Sequence, residues 1–160
     1  MTKTENRAGS IALGAICIAA PLIGGMISAK IAGDQMISFS SMNKPWLAPP
    51  GWLFPIAWTI LYVLMGIALL LMIRSNSKYK VGAIALFISQ LLMNYMWSPI
   101  FFNNHNYWLA FVLLVTMWLT TVITAIVSWF VDKRATWCLV PLIVWTTFAG
   151  YLNAGIAVLN

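Results

Sequence analysis

Charge is what this sequence has least of. Only 8% of its 160 residues are Asp, Glu, Lys or Arg, roughly a third of the share in an ordinary soluble domain. Its acidic residues number three, Glu5, Asp34 and Asp132, and none lies inside an apolar run. A proton- or sodium-coupled carrier uses carboxylates buried in the membrane, so their absence weighs against a coupled pump. There is one histidine, His105, so no hydrolytic triad can be assembled and no metal cluster is present. His105 sits in an Asn-rich turn and reads as a solvated loop residue; the other reading is axial contact to a porphyrin iron. The two cysteines, Cys17 and Cys138, both fall in apolar runs. They read as small core residues, without a disulfide framework. Alternating polar and apolar strand patterns are missing, which excludes a β-barrel.

Hydrophobic residues make up 62% of the chain, including nine Trp, and the mean hydropathy is +0.89. A soluble domain of this length could not cover so much apolar surface, so the chain reads as an integral membrane protein. Five apolar runs cover about residues 11–29, 51–73, 81–102, 107–131 and 137–159. Each is long enough to cross a hydrocarbon core of about 30 Å at about 1.5 Å per residue. The expected architecture is all-α, a single domain over 1–160: a bundle of five transmembrane helices with short loops and one longer loop, residues 30–50, between the first two. The first run begins like a secretory signal, but its length, with Pro21, Gly24 and Gly25 deep inside, favours a retained helix. Gly24 and Gly25, Gly66, and Gly150 with Ala154 are small-residue positions where helices can approach closely.

The nine basic residues sit in the polar gaps and carry a net charge of +6. They read as topology and lipid-headgroup signals, not as a nucleic-acid surface. Lys3, Arg7, Arg74, Lys78, Lys80, Lys133 and Arg134 fall on the amino-terminal side, and Lys30 and Lys44 on the other. This bias puts the amino terminus in the cytoplasm if the host is a bacterium, with the 30–50 loop outside. Trp108, Trp129 and Trp137 lie at run ends and fit an aromatic belt.

The stretch from Lys44 to Tyr62, KPWLAPPGWLFPIAWTILY, begins as a loop stiffened by four prolines and ends as an apolar helix. It reads as a Pro-Trp cover over Lys44 to Trp52, carrying Trp46 and Pro49, and a wall from Trp58 to Tyr62. Trp58 and Tyr62 share a helix face. So do Asn94, Trp97 and Ser98, and Trp145, Ala149 and Asn153, with Phe148 and Leu152 beside them. The topology places Trp58, Asn94 and Asn153 roughly 10–12 Å below the same membrane surface. An asparagine in hydrocarbon must find a partner. Either the amides brace helices to one another, or these residues wall an apolar pocket with a few orienting donors.

These motifs resemble the translocator protein family, also called tryptophan-rich sensory proteins (TspO) or peripheral-type benzodiazepine receptors. The resemblance rests on Gly24-Gly25, on KPWLAPPGWLFPIAWTILYVLMGIA from Lys44 to Ala68, on QLLMNYMWSPIFF from Gln90 to Phe102 and on PLIVWTTFAGYLN from Pro141 to Asn153. It implies a five-helix bundle, commonly a homodimer. The implied ligands are porphyrins and haem-type tetrapyrroles, sterols, and benzodiazepine or isoquinoline compounds, bound under the first loop with no required cofactor. By position, Trp58, Asn94 and Trp145 resemble the residues that hydrogen-bond or wall the ligand. Ala149 resembles the small pocket residue, and Trp46, Pro49 and Tyr62 resemble lid and wall. Two departures stand out. Ser38 and Phe39 occupy the positions of a Trp-Tyr pair linked to light-dependent porphyrin breakdown. No Arg follows Asn153, so the sterol motif of animal members is missing. A tetrapyrrole-binding receptor or sensor in the bacterial cell membrane is the expected function, with a porphyrin-degrading enzyme and a transporter of porphyrins or sterols as alternatives.

Overall fold

The computed structural model describes the backbone of residues 3–160 and the side chains from Ala8 onward except that of Met36. The Lys3 and Arg7 side chains, which entered the charge count, lie outside the described residues. Six helices follow in order: α1 (Lys3–Ile31), α2 (Gln35–Ser41), α3 (Leu53–Arg74), α4 (Lys80–Phe102), α5 (Tyr107–Trp129) and α6 (Lys133–Leu159). All except α2 are long and apolar enough to cross a membrane. They correspond to the five expected runs. The starts of α5 and α6 are set by side-chain caps. Asp132 accepts from the backbone N–H of Arg134, so α6 starts four residues before the apolar run. Asn106 accepts from Leu109 N at 3.1 Å and opens α5. The unexpected α2 lies inside the 30–50 loop, where Asp34 accepts from Ile37 N at 3.3 Å.

The spanning helices close into a ring in the order α1, α3, α6, α5, α4 and back to α1. Alternating directions make every neighbouring pair antiparallel except α4 with α1. Gly66 lets α3 press against α1: a Cβ there would lie 2.5 Å from Ile18 Cα and 2.7 Å from Cys17 O. Gly24 and Gly25 receive the rings of Tyr95 and Tyr62. The space that a side chain at Gly150 would occupy borders Leu114 of α5. These small residues are therefore used within the protomer. Large apolar side chains such as Met26, Val81, Val144 and Val158 are exposed around the ring, as a lipid-facing surface requires.

Prolines inside spanning helices cost a backbone hydrogen bond four residues earlier. Pro99 leaves the Tyr95 carbonyl free, and the Ser28 hydroxyl of α1 donates to it at 2.5 Å. A break in α4 thus becomes a tie to α1. Buried threonine hydroxyls satisfy themselves on their own helix: Thr121 on Met117 O, and Thr146 on Leu142 O, both at 2.8 Å. This is a common resolution for Ser and Thr in a dry interior.

The bundle has two unlike ends. The lid end carries α2, the Pro-Trp segment and the α4–α5 turn. The basic end carries the α3–α4 and α5–α6 turns, laced by Ser75 Oγ donating to Val131 O at 2.9 Å and Ser77 Oγ to Phe130 O at 2.8 Å. Here the Arg134 guanidinium grips Asp132 through Nε at 3.1 Å and Nη2 at 2.8 Å. That side-chain hydrogen bond holds the Asp132 carboxyl below its ordinary range. A depressed folded-state pKa means the contribution is complete above the unfolded value of about 3.9 and is lost as pH falls through the folded one. Asp132→Asn keeps a cap acceptor, because Asn caps a helix as well as Asp, and removes the charge that Arg134 grips; its thermal midpoint is expected to fall below the parent's at neutral pH. The thermal midpoints of parent and variant should converge below about pH 3.

Candidate functional site

A cavity of about 550 Å³ lies between the spanning helices at the lid end. Volumes of about 300–1,000 Å³ are typical of small-molecule sites. Phe54, Trp58 and Tyr62 of α3 form one wall, and Asn94, Trp97, Ser98 and Phe101 of α4 another. From α6 come Trp145, Ala149, Leu152 and Asn153, while Leu114 and Met117 of α5 close the far side. Gly25 and Ala29 of α1 complete the ring. Each lining set recurs every three or four residues along its helix, the spacing that keeps side chains on one face. Aromatic contacts stiffen the walls. Trp58 and Tyr62 rings lie 5.6 Å apart, Phe54 meets Trp145 edge-on at 5.9 Å, and Trp97 stacks on Phe101 at 4.8 Å.

The two asparagines do different work. Asn153 is fully engaged: its Oδ1 accepts from Trp97 Nε1 at 3.1 Å and its Nδ2 donates to Tyr107 O at 2.8 Å. It joins α6 to α4 and to α5 and is a brace. Asn94 is half engaged. Tyr62 Oη donates to its Oδ1 at 2.7 Å, which orients the amide and leaves Nδ2 as a donor with no partner among the described residues. The buried Trp145 Nε1 is a second such donor. Each unpaired buried donor costs about 1–3 kcal/mol relative to a satisfied one. A mainly apolar cavity, polar at its roof, with two spare donors on its wall residues suits a hydrophobic molecule carrying hydrogen-bond acceptors.

The roof differs from the expected one. It consists of Lys30, Gly33, Asp34 and Gln35 at the α1–α2 junction, with Phe39 of α2 and Gly51. Phe39 points down against Phe54, ring centroids 4.9 Å apart. Lys44 fixes α2 in place: its ammonium donates to the carbonyls of Phe39, Ser40 and Met42 at 3.0, 2.9 and 3.0 Å. These carbonyls sit at the helix C-terminus, where a cation is favourable. The Pro-Trp segment is a strap along the end of α6. Pro45 occupies the space beside Gly155, Tyr151 Oη donates to Trp46 O, and Asn43 and Asn160 exchange hydrogen bonds.

Of the residues expected from sequence, Trp58, Tyr62, Asn94, Trp97, Trp145, Ala149 and Leu152 line this one cavity, with Ser98 and Asn153. Trp46, Pro49 and Phe148 do not line it. The Trp46 side chain is 84% exposed. Phe148 backs Trp145 and stacks on Tyr151. His105 lies in the α4–α5 turn, near Tyr107 and away from the cavity lining. The resemblance singled out Phe39 as an aligned position without placing it in the lining, and sequence reasoning missed Phe54, Phe101, Leu114 and Met117. The α2 cap at Asp34 was a second signal for Phe39. No group of His, Cys, Asp and Glu among the described residues could hold a metal ion.

Five apolar spans around a lidded aromatic cavity define an integral, multi-pass membrane protein with an internal site. The TspO/MBR family matches residues 15–159, and the chain belongs to that family. Among its relatives, Protein CrtK of Rhodobacter capsulatus is 36% identical over 124 residues, 76% of this chain and 78% of that protein. Tryptophan-rich protein TspO of Chlorobaculum tepidum is 36% identical over 148 residues, 91% of each chain. The Translocator protein of Bos taurus is 31% identical over 137 residues, 83% of this chain and 81% of that one. The family is one of membrane sensors and receptors.

Proposed function

We propose that the protein is a receptor or sensor for tetrapyrroles of the protoporphyrin IX and haem type, bound in the cavity under α2. It acts without a required cofactor; the tetrapyrrole is the ligand. The observation that carries this reading is the pair of unpaired donors, Asn94 Nδ2 and Trp145 Nε1, on wall residues of a mainly apolar aromatic cavity. A flat macrocycle would gain its affinity from the aromatic walls and its orientation from those donors. Other hydrophobic acceptors, such as benzodiazepine or isoquinoline compounds, would suit the same donors. In this reading the protein is a homodimer in a bacterial cell membrane, with its amino terminus inside.

Quenching of tryptophan fluorescence by protoporphyrin IX tests the site. Trp145→Phe keeps an aromatic ring in the wall but removes the N–H together with the second ring of the indole, and Asn94→Leu removes the other donor. Each is expected to weaken binding about threefold to tenfold, the worth of one hydrogen bond. Trp108→Phe, on the lipid-facing side of α5, should leave it unchanged. Unaltered affinity in both cavity variants would place the ligand elsewhere.

Light-driven porphyrin breakdown is the second reading, favoured by the indoles of Trp58, Trp97 and Trp145 in the cavity wall. Phe39, a ring that is hard to oxidise, occupies the roof and argues for binding. Loss of the Soret band under illumination, compared with an unrelated Trp-rich membrane protein, separates the two.

A further inference from the structure

We propose that the basic end carries a headgroup site for one anionic phospholipid, formed by Lys78 and Lys133 with the rings of Tyr79, Phe130 and Trp129.

Five cations occupy this end among the described residues, and three are already engaged. Arg74 Nη2 donates to the Ser10 carbonyl at 2.9 Å and to its hydroxyl at 2.5 Å. Lys80 Nζ donates to Ser75 O at 3.0 Å. Arg134 is forked onto Asp132 at 2.8 Å. Lys78 and Lys133 differ. Their ammonium groups sit over the rings of Tyr79 and Trp129, 5.1 and 5.0 Å from the centroids. A ring face holds a cation without using up its N–H donors in fixed bonds. Both lysines therefore keep donors for an anion.

The two cations stand on turns that are tied together. Tyr79 and Phe130 rings pack 6.0 Å apart, and the Ser75 and Ser77 hydroxyls hold the two turns on carbonyls of Val131 and Phe130. Lys78 and Lys133 therefore project from one joined end of the bundle, each ammonium resting on a ring. The acid of these turns, Asp132, is paired with Arg134, so it does not neutralise them.

The occupant follows from what surrounds the cations. Phe130 is 64% exposed and Val81 76%, at the ends of α5 and α4 that border the hydrocarbon. A phosphate between the lysines would have its acyl chains directly against this apolar strip. A free anion would gain only the charge term. A zwitterionic lipid would bring its own cation against the ammonium groups. An anionic phospholipid satisfies both the charge and the apolar surface.

The test uses the full-length purified protein in detergent, titrated with phosphatidylglycerol or phosphatidylcholine, with retained lipid counted by native mass spectrometry. Phosphatidylglycerol should be retained in preference. Lys78→Gln and Lys133→Gln should each weaken retention about fivefold and compound in the double variant. Lys80→Gln removes the same charge from an engaged lysine and should change retention less than twofold. The double Lys→Arg variant should retain the lipid. The proposal is overturned if Lys80→Gln matches the Lys78 and Lys133 variants, if phosphatidylcholine is retained equally, or if inorganic phosphate displaces the lipid at comparable concentration. Each variant is compared at equal folded fraction by gel filtration.

Discussion

Gly66→Ala is expected to destabilise the bundle by about 1–3 kcal/mol, the cost of overpacking a core, and Gly66→Val by more. The added Cβ would lie 2.5 Å from Ile18 Cα and 2.7 Å from Cys17 O. Both are backbone atoms, so no side-chain rotation can relieve the contact, and α1 must move away from α3. The Cys17 carbonyl has its own reason to be there. Pro21 lacks the N–H that would have bonded it, and a Gly Cα–H is the nearest weak donor that a neighbouring helix can present. Gly82→Ala is the matched comparison. It lies in α4, with nothing within 4 Å of the new atom, and alanine is the better helix former by about 0.5–1 kcal/mol. The same chemical change should therefore lower the thermal midpoint in detergent at one site and hold or raise it at the other. Equal effects at both sites would show that α1 and α3 are not in backbone contact.

Asn153→Leu should be the costliest change among the polar residues, about 2–4 kcal/mol. It removes two hydrogen bonds and strands the Trp97 indole N–H; the Tyr107 carbonyl keeps the intrahelical bond of α5. Interhelical hydrogen bonds in membranes average only about 0.6 kcal/mol, because the separated helices find other partners. Asn153 is 1% exposed and ties three helices, so the stranded indole has no such alternative. Asn94→Leu strands only the Tyr62 hydroxyl, which can turn toward the cavity. The two variants should therefore split: Asn153→Leu loses mainly stability, and Asn94→Leu mainly protoporphyrin affinity. Thermal unfolding and fluorescence quenching on the same samples would reveal a common response if the two amides had the same role.

That difference between two asparagines was not readable from the chain. Both are amides at similar depth inside apolar helices, and sequence distinguishes neither from a brace. What separates them is the spare valence on Asn94, a property of helix rotation. The five spans were legible because membrane thickness fixes their length, and their errors lie at the ends. Hydropathy marks where apolar residues stop, whereas Asp132 starts α6 in the polar turn. The seven-residue α2 (QMISFSS) is too short for periodicity to register. The polar and indole residues of the cavity stood out against an apolar background. Phe54, Leu114 and Met117 did not, since an apolar residue in an apolar run carries no contrast. The Pro-Trp segment reads as stiff, and in the structure it is tied down at Pro45 and Trp46. Direction was hidden: proline fixes the shape of a strap but not what it lies across, and here it crosses the end of α6 while Phe39 covers the cavity.

The ring order has a consequence for how the protein is made. Helices enter the membrane in chain order, yet α6, the last, takes its place between α3 and α5. Until it arrives, the other four spans form a horseshoe, joined at α1 and open on the side of the future cavity. Asn94 and Trp97 then face lipid or the translocation machinery, and Asn153, the partner of Trp97, is not yet in the bilayer. The ribosome must therefore release α6 before the site can be sealed. Asn153, bonding to α4 and α5 at once, is the residue that turns an insertion intermediate into a closed chamber.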